Sequence, residues 1–146
     1  VVELERVPRI DSAGWVHTLA AEGGEEVLGM RLIEVPRDSV RHERRDSRTE
    51  YVAYVPPGSV ARGRLLATVG TPAMPGCVTC HGADLRGVGD VPPLAGRSPT
   101  YLLRQLVAFR TGARSAPAGV PMISAVAVLS IEEMIAAAAY AASLPP

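Results

Sequence analysis

The chain has 146 residues, 47% hydrophobic but only 4% aromatic, enough for one core or a small domain plus an appendage, yet short of large rings to fill it. Fifteen arginines balance fifteen acids and there is no lysine, so no global charge excess argues for a nucleic-acid or membrane-surface partner. No apolar run approaches the roughly 20 residues that span a bilayer.

Charge is spread unevenly along the chain. Residues 1–57 carry 8 arginines against 11 acids, a net of −3, whereas residues 58–146 carry 7 against 4, a net of +3. The first segment shows no sustained helical period. Residues 27–35, stopping at Pro36, and residues 51–55, alternating and stopping at Pro56-Pro57, read as two strands of a small antiparallel sheet. The charged stretch 37–50 is then an exposed connection between them. The chain opens at Val1-Val2-Glu3 without a methionine, so an upstream part that included an export signal is expected.

Helical signals begin at Ser59, read as the cap of a helix over residues 60–67 that ends near Gly70. Next stands Cys77-Val78-Thr79-Cys80-His81-Gly82. Two thiols three positions apart can each add across a vinyl group of haem, and the adjacent imidazole is then held against the iron; the pattern reads as c-type haem attachment. A thioredoxin-like pair would need a βαβ context that is missing. A structural zinc site needs four nitrogen or sulfur ligands, and His17 and His42 lie far upstream in a charged region. A disulfide between Cys77 and Cys80 would leave the histidine unexplained.

A Gly/Pro-rich loop runs from Gly82 to Gly96. Ser98-Pro99 then opens a second helix with cap and first-turn proline in their preferred places, and Gly112 stops it. Ser130-Ile131-Glu132-Glu133 is a capping box that starts the last helix. Of the four methionines, Met30 lies in the strand region, Met74 sits too close to the attachment site to cross the haem, and Met134 fits an apolar helix stripe. Met122, read as lying in a loop after Pro121, is the expected sixth ligand.

Residues 59–146 resemble class I cytochromes c of the c4 or c5 type. The matching stretches are Cys77-x-x-Cys80-His81-Gly82, Pro92-Pro93-Leu94-Ala95-Gly96-Arg97-Ser98, Tyr101-Leu102-x-x-Gln105-Leu106-x-x-Phe109-Arg110-x-Gly112, and Met122 ahead of Leu129-Ser130-x-Glu132-Glu133. The resemblance implies that the Pro92 carbonyl, or else that of Pro93, accepts from the haem histidine, that Leu94 packs on the porphyrin, and that Arg97 with Tyr101 or Gln105 holds a propionate. It also implies a close helix crossing between Gly63 and Tyr140. Residues 32–36 and 51–59 are similar to the connector of dihaem c4-like cytochromes. The chain is therefore expected to be a connector plus second haem domain, with an upstream haem domain of the same protein as a neighbour; the alternative is a mature monohaem protein cut after its signal or anchor.

The fold expected is an all-α cytochrome c fold, three main helices around one covalent haem c on Cys77 and Cys80, over residues 58–146. Residues 1–57 form an extension containing a small antiparallel β-hairpin. The function expected is one-electron transfer between periplasmic redox partners, with His81 and Met122 as iron ligands, no catalytic residues and no membrane span. The alternative is an electron-transfer subunit or domain of a larger periplasmic oxidoreductase. A ligand-binding or peroxidatic haem protein would need an open sixth position.

Overall fold

The computed structural model describes residues 1–13 and 16–146, and the chain divides into two units, Val1–Pro57 and Gly58–Pro146. In the first unit β1 (Val2–Glu3), β2 (Arg6–Pro8), β3 (Ile10–Ala13), β4 (Val16–Leu19), β5 (Glu25–Val27) and β6 (Ile33–Pro36) precede the short helix α1 (Ser39–Glu43) and β7 (Tyr51–Val55). β6 and β7 pair antiparallel, Val35 facing Val52 and Ile33 facing Tyr54, and β1 runs parallel along the other side of β7. β2 pairs with β5 and β3 with β4, both antiparallel. Because side chains alternate along a strand, Ile33 and Val35 turn the same way and bury with Val7 and Leu28; Ile10, Val52 and Tyr54 pack around them.

This unit is richer in strands than its sequence suggests. The expected strand over 27–35 is broken: β5 ends at Val27, Gly29 turns the chain at φ +59°, and β6 starts at Ile33. Arg31 fixes the turn by donating to the carbonyls of Val27 and Leu28. The charged connection holds α1, capped by Asp38, whose Oδ1 accepts from the Arg41 amide at 3.0 Å. Beyond it, hydrogen bonds from Arg48 hold the Asp46 carboxyl below its usual range. α1 buries no side chain, so it carries no apolar period to betray it.

The second unit is mainly helical but not purely so. It comprises α2 (Ser59–Thr68), a tiny hairpin of β8 (Gly70–Thr71) and β9 (Met74–Pro75), α3 (Val78–His81), α4 (Pro99–Arg110), a 3₁₀ turn (Pro117–Gly119), α5 (Val120–Ala127) and α6 (Ile131–Ser143). Leu66, Met74, Phe109, Val126, Leu129, Met134 and Ala136 form its buried core. α2 and α6 cross at Gly63, where an added Cβ would lie 1.9 Å from the Ala136 carbonyl oxygen and 2.8 Å from Tyr140 Cβ.

Two caps sit where the sequence puts them. Ser98 Oγ accepts from the Tyr101 amide at 3.1 Å, and Ser130 exchanges bonds with Glu133 in a full capping box. Two readings change. The residue before α2 is Gly58, in the left-handed region at φ +79°, while Ser59 is buried as the first helical residue. Met122 is not on a loop. Pro121 occupies the first turn of α5, where a proline costs no hydrogen bond and its fixed φ suits a helix, so this proline starts a helix instead of excluding one.

Candidate cofactor site

The site begins with one turn of helix. α3 brings the Cys77 and Cys80 thiols, both free, into the turn that ends on His81. Residues three apart on a helix share a face, so the spacing presents both sulfurs to the same side. Burial pushes the Cys77 thiol above its ordinary range, with a smaller contribution from nearby Cys80; Cys80 itself is exposed. His81 is 6% exposed, and its Nδ1 lies 2.8 Å from the Pro92 carbonyl oxygen. A carbonyl can only accept, so Nδ1 carries the proton and Nε2 keeps its lone pair for a metal. Such an outer bond also fixes the ring plane.

The loop that delivers Pro92 is held by residues the sequence does not single out. The Gly87 amide donates to the His81 carbonyl at 2.8 Å. Gly87 sits at φ +87°, and a Cβ there would come 2.6 Å from the Val91 carbonyl oxygen. Leu85 is almost fully buried and also left-handed, at φ +60°, a costly state for a branched residue. Its carbonyl accepts from the amides of both Leu94 and Ala95. In the sequence Leu85 and Gly87 belong to a Gly/Pro-rich loop; only the folded contacts separate them from their neighbours.

The other expected residues are spread around this turn. Leu94 is half-buried and tied to Leu85. Arg97 Nε donates to the Pro93 carbonyl at 3.2 Å, so the two prolines of the pair serve different donors. Tyr101 is exposed on α4. Gln105 Oε1 accepts from Arg114 Nη1 at 2.8 Å. Met122 is partly buried against the core. Of the other methionines, Met74 and Met134 are buried in that core, the Met134 sulfur lying 3.5 Å from Arg110 Nη2, and Met30 is exposed in the first unit.

Among the described residues no three His, Cys, Asp or Glu side chains converge as a site for a bare ion. The donor set instead suits a haem: two free thiols on one face for the vinyl carbons, and one buried imidazole with its outer nitrogen already engaged. No single helix among the described residues is long and apolar enough to cross a membrane.

Comparison with known proteins agrees with this donor chemistry. The cytochrome c family profile matches residues 60–145. The thiosulfate dehydrogenase electron acceptor of Stutzerimonas stutzeri is 44% identical over 89 residues, which are 58% of this chain and 40% of that protein. This chain therefore spans well under half of that relative. Among solved structures, thiosulfate dehydrogenase TsdBA from Marichromatium purpuratum aligns at TM-score 0.57 and 42% identity, over 59% of this chain and 19% of the other. Reduced cytochrome c4 from Pseudomonas stutzeri aligns at 0.56 and 29% identity, over 61% and 50%.

Proposed function

The chain belongs to the cytochrome c family, and on that premise we propose that it works in the periplasm as a carrier that takes single electrons from a catalytic oxidoreductase of the thiosulfate-dehydrogenase kind. Family membership makes it an electron-transfer protein with haem c attached through Cys77 and Cys80. When bound, the haem supplies a reversible ferric–ferrous couple. The polypeptide's share is to bind it, orient the axial groups and exclude water.

The observation that carries the reading is the His81–Pro92 bond at 2.8 Å beneath a CxxCH turn. It presents Nε2 as a fixed, buried proximal donor. Met122, only partly buried where Met74 and Met134 are enclosed in the core, would be the distal donor. A histidine–thioether pair would raise the potential relative to two imidazoles and would leave no seat for a substrate, which suits a carrier. Covalent attachment through the two thiols supports the periplasm or another extracytoplasmic space.

The choice of donor rests on the Stutzerimonas relative, named for accepting electrons from thiosulfate dehydrogenase. A second reading has a specific basis: the matched part of TsdBA is 19% of that chain, so this haem unit can equally be a module within a larger oxidoreductase. The test is stopped-flow reduction of the ferric holo-protein by a purified thiosulfate dehydrogenase. Reduction that needs both thiosulfate and the enzyme supports the reading. A rate no greater than that for an unrelated periplasmic dehydrogenase refutes this donor.

A further inference from the structure

Two exposed arginines of the helical unit are bonded to residues that flank the helix bearing Met122. Arg110, the last residue of α4, donates from Nη1 to the Leu129 carbonyl at 3.0 Å and approaches the Met134 sulfur with Nη2. Leu129 lies between α5 and α6, so this bond grips the corner where α5 ends. At the other end stands Phe109. Gly119, the residue before α5, approaches its ring so closely that a Cβ would meet Phe109 Cε1 at 2.7 Å. Phe109 is buried.

Arg114 stacks over this ring. Its guanidinium carbon lies 4.5 Å from the Phe109 centroid, Nη1 is anchored on Gln105 Oε1, and its amide donates to the Ala108 carbonyl. The family resemblance implies Tyr101 or Gln105 as a propionate partner and gives these two arginines no such contacts. A planar guanidinium can stack on a ring and donate at its edge together, which an ammonium cannot.

We infer that Arg110 and Arg114 are positioning residues that clamp α5 at its two ends and so hold the Met122 thioether in place. The inference rests on the reading of Met122 as distal ligand. It differs from a docking role in one decisive respect. Docking by long-range attraction needs only the charge, so lysine would serve; a clamp needs the guanidinium, so lysine fails.

The experiment uses ferric holo-protein carrying R110K or R114K, with R104K as a control outside the clamp and M122A as the ligand control. Two signals are followed: amide exchange in residues 117–129, and the weak far-red absorption of iron–thioether ligation during heating. In both clamp variants exchange over α5 is expected to quicken by about tenfold, the scale of losing a hydrogen bond from a charged donor. The far-red band should vanish at a lower temperature than helical circular dichroism does, whereas in wild type and R104K the two are lost together. Unchanged exchange and a band lost only with global unfolding in both clamp variants would overturn the clamp. If M122A keeps the band, the distal-ligand reading falls and with it the link to the iron, while the exchange rates still decide whether these arginines hold α5.

Discussion

His81 shows how little of a site has to be written next to it. Its own position is legible, because thioether chemistry fixes the CxxCH spacing locally, and the helix α3 adds only the shared face. Its second partner comes eleven residues later through a backbone carbonyl, so the Pro92 side chain matters only by stiffening the loop. Pro92→Ala in the holo-protein should therefore keep the haem and cost no more than about 1 kcal/mol, through a looser unfolded chain. Gly87→Ala is the contrasting variant. A Cβ 2.6 Å from the Val91 carbonyl at φ +87° displaces the very loop that carries Pro92, and about 1–3 kcal/mol is expected for the strained backbone alone. Guanidinium unfolding of the two variants checks the order; a P92A loss equal to that of G87A would mean that the ring, not the carbonyl, does the holding. Leu85 and Gly87 are not legible in the sequence because the need for a left-handed residue arises from contacts the loop makes after folding.

At the scale of elements, legibility follows length and caps. α4 and α6 are readable to within a residue or two, since each has a serine cap, a proline or glutamate in its first turn and an apolar stripe. α5 is hidden because Pro121 reads as a breaker, although in a first turn it is a starter. The strands of the N-terminal unit run only two to five residues, too short for alternation to rise above chance. The Gly63 crossing is the sharpest element-level constraint. With Ala136 backbone atoms 1.9 and 2.6 Å from the place an alanine methyl would take, neither helix can yield by turning a side chain, so α2 and α6 must part. Gly63→Ala is expected to cost about 1–3 kcal/mol, the usual range for overpacking, read from the denaturation midpoint of the holo-protein. A midpoint within error of wild type would show that the helices separate freely, contrary to the packing described.

For the whole molecule, charge and closure decide what the protein can do. The helical part carries +3 and the N-terminal part −3. Arg62 and Arg86 are paired with Glu132 and Asp84 only at exposed, loose distances of 3.6 and 3.7 Å, geometry in which such pairs contribute little and leave the surface field in place. Since redox partners meet through small transient interfaces, electron transfer from residues 58–146 to an acidic partner should slow as salt rises, with screening over about 8 Å at physiological strength. The acidic N-terminal part should make the intact chain less salt-sensitive. A flat rate in both would leave the arginines without a part in encounter. The balance of charge is visible in composition; which arginines are tied to other parts of the helical unit is not, because that depends on Leu129, Gln105 and Phe109 being brought to them. Carbon monoxide probes whether the iron has an open position. If His81 and Met122 both bind the iron, as proposed, the ferrous wild-type protein should show no carbon monoxide difference spectrum at neutral pH, and Met122→Ala should show a full one. A wild-type protein that binds the gas readily would contradict a closed electron carrier and point to an open sixth position.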